Sequence, residues 1–226
     1  MEIILTGRRQ ERLEQIAKDL SSPDLVTVHT FAFDIRDRSA VEKFVNENEK
    51  LLSNLDVLVN NAGLAAGLEE FPEANLDDWD AMIDTNIKGL LYITRGIIPH
   101  MKKRKHGHII NIGSIAGHTI YPKGAVYCAT KHAVKVINEG IRMDTLGTGI
   151  RVTSVDPGMV ETEFSLVRFK GDEAKAKKVY EGLTPLTPED IAETVYWCLA
   201  RPPHVNIQEV IIMPTDQASV RDVNRK

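Results

Sequence analysis

Short apolar segments with the spacing of β-strands alternate along this chain with longer segments that have the spacing of α-helices. The strand-like segments are residues 3–6, 25–33, 57–60, 108–112, 150–155 and 208–213, and the helix-like segments are residues 9–20, 38–52, 76–104, 123–146 and 188–200. The runs at 55–61 and 107–113 are almost continuously apolar, as in strands that are covered on both faces. This alternation predicts an α/β fold, with a doubly wound, Rossmann-like parallel sheet between two layers of helices.

The composition excludes several classes of protein. The 226 residues suit a single domain, and a net charge of −4 gives no reason to expect a nucleic-acid partner. The basic run at 102–106 ends a predicted helix, where cations are favourable, and contains no aromatic residues to stack on bases. The two cysteines, Cys128 and Cys198, have no zinc or disulfide spacing, so we expect no metal and a reducing, cytoplasmic setting. We expect no membrane partner, because the sequence has no apolar signal core and no long apolar run.

Tyr127 and Lys131 are four residues apart in a predicted helix, so they share one face. A free tyrosine has a pKa of about 10, and a fixed cation nearby favours the phenolate. Lowering that pKa by roughly 3 units requires about 4 kcal/mol of differential stabilisation, which would allow proton exchange with a substrate hydroxyl near neutral pH. The alternative is a tyrosine packed under a surface lysine.

Other polar residues follow buried strands, at the edge where open α/β sheets bind ligands. Ser114 follows the strand at 108–112, and Asn60-Asn61-Ala62-Gly63 ends the strand before it. Ser114 is suited to bind a substrate oxygen, or alternatively caps a helix. Asn86 lies within an apolar helical stretch and needs a buried partner there, unless the position is exposed.

These features, in this order, resemble the short-chain dehydrogenases/reductases, from residue 2 to about residue 215. The resemblance includes NNAG at 60–63, Asn86, Ser114, YCATK at 127–131 and DPGMVET at 156–162. It implies an oxidoreductase in which Tyr127 is the general acid/base, Lys131 lowers the pKa of Tyr127 and binds the nicotinamide ribose, and Ser114 orients the substrate oxygen. Asn86 would hold a water molecule in a proton relay. The remaining cofactor-binding positions implied are Asn60, Ala62, Gly63, Pro157, Gly158, Val160 and Thr162, with Asp34 and Ile35 contacting the adenine.

The residues after the first strand predict which dinucleotide binds. In nucleotide-binding folds of this kind an acidic residue after the second strand favours NAD, and the matching place in this chain, after its opening strand, holds Gly7-Arg8-Arg9. Guanidinium groups suit a 2′-phosphate, so we expect NADP, bound by Arg8 and Arg9. The alternative is that either arginine begins a solvated helix.

A closer resemblance is to the NADP-dependent 3-hydroxy acid (serine/L-allo-threonine) dehydrogenases. It includes NNAGLAAG at 60–67, DWDAMIDTNIKGLLY at 78–92, TEFSLVRFKGDEAKA at 162–176 and LTPEDIAETVYW at 186–197. It implies a small 3-hydroxy acid substrate, whose carboxylate needs a cation. We prefer Arg168 over Lys170 because a guanidinium binds carboxylate in a bidentate way. The resemblance also implies a homotetramer, with the helices at 76–104 and 123–146 in the main interface and the C-terminal strand in another.

Two further expectations concern the organisation of the chain. The segment at 158–187 reads as irregular and long enough to be a mobile substrate lid. Thr6-Gly7 lacks the later glycines of the family's TGxxxGxG turn, so we expect the first βα unit, roughly 25 residues, to be absent. That absence predicts a gap between neighbouring strands or a sheet that closes over it, together with exposed apolar surface and weak NADP binding. The alternatives to a 3-hydroxy acid dehydrogenase are a broad NADPH-dependent carbonyl reductase and a truncated, non-catalytic homologue.

Overall fold

The computed structural model of the protein describes residues 1–22 and 25–226. Its six strands are all parallel to their neighbours and form two groups. The first group pairs β1 (Glu2–Gly7) with β2 (Thr27–Ala32). The second has the order β3 (Val57–Asn60), β4 (Gly107–Ile112), β5 (Ile150–Pro157) and β6 (Glu209–Ile212). Within the described residues no ladder joins the two groups, so the sheet has the gap that the sequence predicts.

Nine α-helices connect and flank the strands within the described ranges. They are α1 (Gln10–Leu20), α2 (Arg38–Glu47), α3 (Glu49–Leu52), α4 (Leu76–Ile83), α5 (Leu90–Arg104), α6 (Ala125–Asp144), α7 (Glu163–Arg168), α8 (Glu173–Lys178) and α9 (Pro188–Leu199). Helix α9 begins with a capping box, which is formed by Thr187 and Asp190. No helix of the described residues has the length and apolar character needed to cross a membrane.

Both faces of the four-stranded group are packed, as a doubly wound sheet requires. Ile109 and Ile110 are adjacent on β4 and fully buried, but they belong to different clusters because successive strand residues point to opposite faces. Ile109 packs with Ile97 and other residues of α2 and α5, whereas Ile110 packs with Cys198 of α9. The predicted three-layer α/β fold is confirmed.

Strand β3 differs from the prediction that both of its faces are covered. It lies at the edge of its group, and Val59 is 44% exposed. The apolar run shows the residue types of the strand but not its position in the sheet.

Two predicted helices are interrupted. The segment at 38–52 divides into α2 and α3 at Asn48, whose amide Nδ2 donates to the carbonyl of Phe44. The segment at 76–104 contains a π-helical stretch, Asp84–Gly89, between α4 and α5. The helix predicted at 123–146 is α6, and α5 ends at the basic run, where Lys105 has a left-handed φ of 55°.

The prediction of an irregular segment at 158–187 is wrong in part, because α7 and α8 lie within it. Thr162 caps α7 by accepting from the Phe164 amide, and Asp172 caps α8 by accepting from the Lys175 amide. A helix of six residues is too short for its apolar residues to show a clear helical period. The signals that mark these two helices are the capping side chains at their first turns.

Candidate active site

A cleft of about 830 Å³ opens at the carboxyl ends of the strands, where open parallel sheets bind ligands. Its wall includes Ser114 after β4 and both Tyr127 and Lys131 from α6. The structure therefore brings together three residues that the sequence places up to 17 positions apart. The alternative reading of Tyr127 as a residue packed under a surface lysine is wrong, since Lys131 is only 7% exposed.

Tyr127 is buried at the base of the cleft. Its ring meets Phe164 edge-on, with 5.7 Å between centroids. Burial raises the pKa of Tyr127 above its usual value, while the neighbouring Ser114 hydroxyl and the charge of Arg168 act in the opposite direction. The net direction favours the protonated phenol.

Lys131 is buried near Tyr127 and binds a backbone carbonyl. Its Nζ donates to the carbonyl oxygen of Ile112 at 2.9 Å and lies 6.0 Å from the centroid of the Tyr127 ring. Burial lowers the pKa of Lys131 to about 8, against the stabilising charge of Asp156. That Lys131 lowers the pKa of Tyr127 stays a prediction.

Ser114 combines a capping role with a place in the cleft. Its hydroxyl accepts from the Ala116 amide at 3.1 Å and so caps a single 3₁₀ turn, Ile115–Gly117. The same side chain lines the cleft and lies near enough to the Tyr127 phenol to lower its pKa. The capping alternative and the site position are thus both observed, and the cap fixes the hydroxyl beside the phenol.

Asn86 is 2% exposed and lies in the π-helical stretch, which confirms that it has buried partners. Its Oδ1 accepts from the Leu64 amide, and its Nδ2 donates to the Leu64 carbonyl and to Oγ1 of Thr130, at 2.8, 2.8 and 3.0 Å. Thr130 in turn donates to the carbonyl of Tyr127. Asn86 therefore ties the turn after β3 to the helix that carries Tyr127.

The NNAG turn divides its residues between the interior and the cleft. Asn60 is buried, and its Nδ2 donates to Thr94 and to Asn111, so its side chain faces the protein interior rather than the cleft. Gly63 lines the cleft, and Ala62 is exposed nearby. Asn61 also lines the cleft, although the sequence did not single it out from its neighbour.

The segment after β5 lines the opposite side of the cleft. Pro157, Gly158, Val160 and Thr162 are all part of this wall, as predicted. A Cβ on Gly158 would lie 2.5 Å from Oε1 of Gln217 and 2.9 Å from the Met213 sulfur, so a side chain here would have to displace both.

Two arginines near the end of the first strand pair with a glutamate of the cleft wall. Arg9 and Arg12 both pair with Glu163 of α7, at 3.1 and 2.6 Å, while Arg8 is exposed. Arg12 and Glu163 line the cleft. Arg12 is a cation that the sequence reading missed, since its position three residues beyond Arg9 looks like an ordinary helix surface.

The two residues predicted to contact adenine have protein partners here. Asp34 forms a bidentate pair with Arg36, and this hydrogen bonding holds the pKa of the Asp34 carboxyl below its usual value. Ile35 packs against Gly89, where a Cβ would lie 2.8 Å from Cγ2 of Ile35.

Arg168 lies beside Tyr127, whereas Lys170 does not. The guanidinium of Arg168 donates to the carbonyl of Gly67 at 3.2 Å and to the hydroxyl of Tyr121 at 3.0 Å. It lies 6.0 Å from the centroid of the Tyr127 ring, and both residues line a small cavity of about 60 Å³. Lys170 pairs with Asp78 at 2.9 Å at the surface. Tyr121 is a further site residue, and it belongs to none of the sequence motifs that predict the site.

Comparisons with known proteins agree with this geometry. The sequence profile of the family described as short chain dehydrogenase matches residues 1–172. The NADP-dependent 3-hydroxy acid dehydrogenase YdfG of Escherichia coli O6:H1 is 48% identical over 217 residues, which cover 96% of this chain and 86% of that protein. The serine 3-dehydrogenase of Agrobacterium fabrum is 44% identical over 216 residues, 96% of this chain and 85% of that protein. The closed form of serine dehydrogenase complexed with NADP⁺ superposes with a TM-score of 0.92 at 46% identity, covering 100% of this chain and 90% of that one.

Proposed function

The chain belongs to the short-chain dehydrogenase family, and on that premise we propose that it is an NADP-dependent dehydrogenase of small 3-hydroxy acids. The substrates we infer are serine, L-allo-threonine and 3-hydroxypropionate, oxidised at the hydroxyl-bearing carbon. The observation that carries the proposal is the position of Arg168, whose guanidinium lies beside the Tyr127 ring. This arrangement suits a substrate that has a hydroxyl at one end and a carboxylate at the other.

The residues of the cleft fit NADP. A dinucleotide needs a long groove with a cation for the 2′-phosphate; Arg12 lines the cleft, Arg9 pairs with Glu163 of the same wall, and Arg8 is the next cation along the chain. When bound, NADP⁺ supplies the hydride acceptor.

The protein's own side chains carry the remaining chemistry. The Tyr127 oxygen exchanges the proton of the substrate hydroxyl, and Ser114 Oγ, fixed beside it, orients the same oxygen. Lys131, whose ammonium is held by Ile112, binds ribose hydroxyls from its buried position. Arg168 binds the carboxylate, and Asn86 holds the turn at Leu64 against α6.

A substrate panel tests the proposal. Purified protein is mixed with NADP⁺ or NAD⁺ and with serine, L-allo-threonine, 3-hydroxypropionate or an alcohol of similar size that lacks the carboxylate, and NADPH absorbance is followed. We expect turnover with NADP⁺ and only with the carboxylate substrates, and loss of turnover in Tyr127→Phe. Equal rates without a carboxylate would indicate the broad carbonyl reductase, and no turnover with any substrate would indicate a non-catalytic homologue.

We also propose that the protein assembles as a homotetramer. Large apolar side chains are exposed on the two helices that the sequence assigns to the interface: Leu91 on α5, and Val136 and Met143 on α6, with exposures of 42%, 68% and 73%. Ile211 on β6 is 47% exposed, which supports a second contact at the C-terminal strand. Apolar patches of this kind favour association between subunits.

A further inference from the structure

A buried carboxylate lies directly behind the candidate active site. The side chain of Asp156, near the end of β5, is 2% exposed. Ser154 Oγ donates to its Oδ1, and His118 Nε2 lies 2.6 Å from its Oδ2. Burying a carboxylate this deeply costs free energy, and the hydrogen bonds from Ser154 and His118 offset that cost. A hydrophobic residue would fill the same space without this cost, so the presence of a carboxylate here suggests a functional role.

Asp156 contacts the segment that positions the site residues. A Cβ on Gly113 would lie 1.9 Å from Oδ1 of Asp156, so the carboxylate rests against the Gly113 backbone. Gly113 lies between Ile112, whose carbonyl accepts from Lys131, and Ser114, which lines the cleft with Tyr127. The negative charge of Asp156 raises the pKa of Lys131, against the burial that lowers it.

His118 holds Asp156 from the other side. It directly follows the 3₁₀ turn that Ser114 caps, so a contact to His118 also fixes that turn. Its Nδ1 lies 3.2 Å from Nζ of Lys135, which in turn lies 3.3 Å from Glu209. Since an ammonium group only donates, His118 Nδ1 accepts from Lys135, and Nε2 carries the proton that it donates to Asp156.

We propose that Asp156, held by His118, is a positioning residue of the reaction: its carboxylate supplies a fixed negative charge behind the Ile112–Ser114 segment, which binds Lys131 and presents Ser114. This inference rests on the proposed dehydrogenase function. The charged and titratable groups that face Asp156 or Lys131 are His118 after the 3₁₀ turn, Lys135 and Tyr127 on α6, and Glu209 on β6.

The first test measures the Lys131 ammonium directly. Its pH titration is followed by NMR in protein that contains isotope-labelled lysine, with the signal assigned through Lys131→Arg. In Asp156→Asn, which keeps the size of the side chain but removes the charge, we expect the titration midpoint to fall by about one pH unit. Glu209→Gln is the matched control, because Glu209 faces Lys135 and His118 rather than Gly113. It should leave the Lys131 midpoint nearly unchanged.

The second test uses turnover. We expect the alkaline limb of the kcat/KM profile to move to lower pH in Asp156→Asn, whereas a purely structural defect would reduce the rate without moving the limb. Asp156→Glu, which restores the charge, should return the limb toward its position in the wild type.

The outcomes separate this inference from the proposed function. An unchanged Lys131 midpoint in folded Asp156→Asn, or an equal fall in Glu209→Gln, would overturn the role of Asp156 whatever the turnover. Absence of turnover in the wild type would overturn the proposed function, and the NMR titration would still decide the coupling. If Asp156→Asn does not fold, Lys131→Met gives the reciprocal measurement: the Asp156 carboxyl should then titrate at higher pH, and no change would contradict the coupling.

Discussion

The Nη2 atom of Arg168 lies 3.0 Å from the hydroxyl of Tyr121, and the guanidinium also lies over the rings of Tyr121 and Tyr127. Arg168 lies in the short helix α7, and its contact with the Gly67 carbonyl is a second fixed point. A cation held in this way is already oriented before a substrate arrives, which reduces the entropy lost on binding.

Replacement of Arg168 by alanine should raise KM for serine or 3-hydroxypropionate about 30- to 100-fold. The change removes charge-assisted hydrogen bonds worth about 2–3 kcal/mol. Steady-state kinetics with both substrates measures the effect. Lys170→Ala is the control, because Lys170 pairs with Asp78 at the surface, and it should leave KM unchanged. An unchanged KM in Arg168→Ala would show that another residue binds the substrate carboxylate.

Replacement of Asn86 by alanine should lower the free energy of unfolding by about 2–3 kcal/mol. The variant loses three hydrogen bonds and leaves the buried Leu64 amide and carbonyl without their partner. Urea denaturation measures the change. Thr130→Val removes one of the same contacts and should cost less, about 1 kcal/mol. Equal losses in the two variants would show that the Leu64 contacts contribute little.

Glu163→Gln should strengthen NADPH binding roughly two- to fivefold. The carboxylate of Glu163 pairs with Arg9 and Arg12, and a ligand phosphate would compete with it for these guanidinium groups. The effect is small because these side chains are about half exposed or more. Fluorescence titration with NADPH measures it, and the difference from wild type should shrink as salt is added. Glu161→Gln removes an exposed charge two residues away and should change nothing; weaker NADPH binding in Glu163→Gln would mean that the pair holds the cleft together.

The residues whose positions follow from local sequence were predicted well. Ser114, Tyr127 and Lys131 converge as expected, since a parallel sheet brings its strand ends to one edge and helical spacing sets which residues share a face. The capping box of α9 is likewise a local pattern.

Features that depend on contacts between distant residues were not predicted. Arg12 contacts Glu163 across 151 positions, and His118 contacts Asp156 across 38, so no local motif marks either pair. The hydrogen bond of Lys131 was not predicted for a related reason. Spacing brings Lys131 near the phenol, but the orientation of its ammonium depends on the Ile112 carbonyl of another element.

Val136→Glu should convert the proposed tetramer into smaller species. Val136 is exposed on α6, and a charge there would be buried without a partner in an interface. Size-exclusion chromatography with light scattering measures the mass. Leu20→Glu makes the same kind of change at an exposed position on α1 and should leave the mass of the assembly unaltered. A monomeric wild type would contradict the quaternary proposal.

Stability should fall in acid between about pH 6.5 and pH 4 partly because of one residue, His108. It is 2% exposed on β4, its Nε2 lies 2.8 Å from Thr153 Oγ1, and its Nδ1 has no hydrogen-bond partner among the described residues. Burial, with a smaller effect from Arg151, lowers the pKa of His108 to about 4.

The direction of this pH dependence follows from the number of protons that the folded and unfolded states bind. Between the two pKa values the unfolded chain binds a proton on His108 and the folded protein does not, so acid favours unfolding by up to about 3 kcal/mol at pH 4. Above about pH 6.5 both states are neutral and the contribution vanishes. Urea denaturation across this range should show a shallower loss in His108→Gln, whose amide still donates to Thr153 but does not titrate. Parallel pH profiles for the two proteins would show that His108 is already protonated in the folded state or does not contribute to acid unfolding.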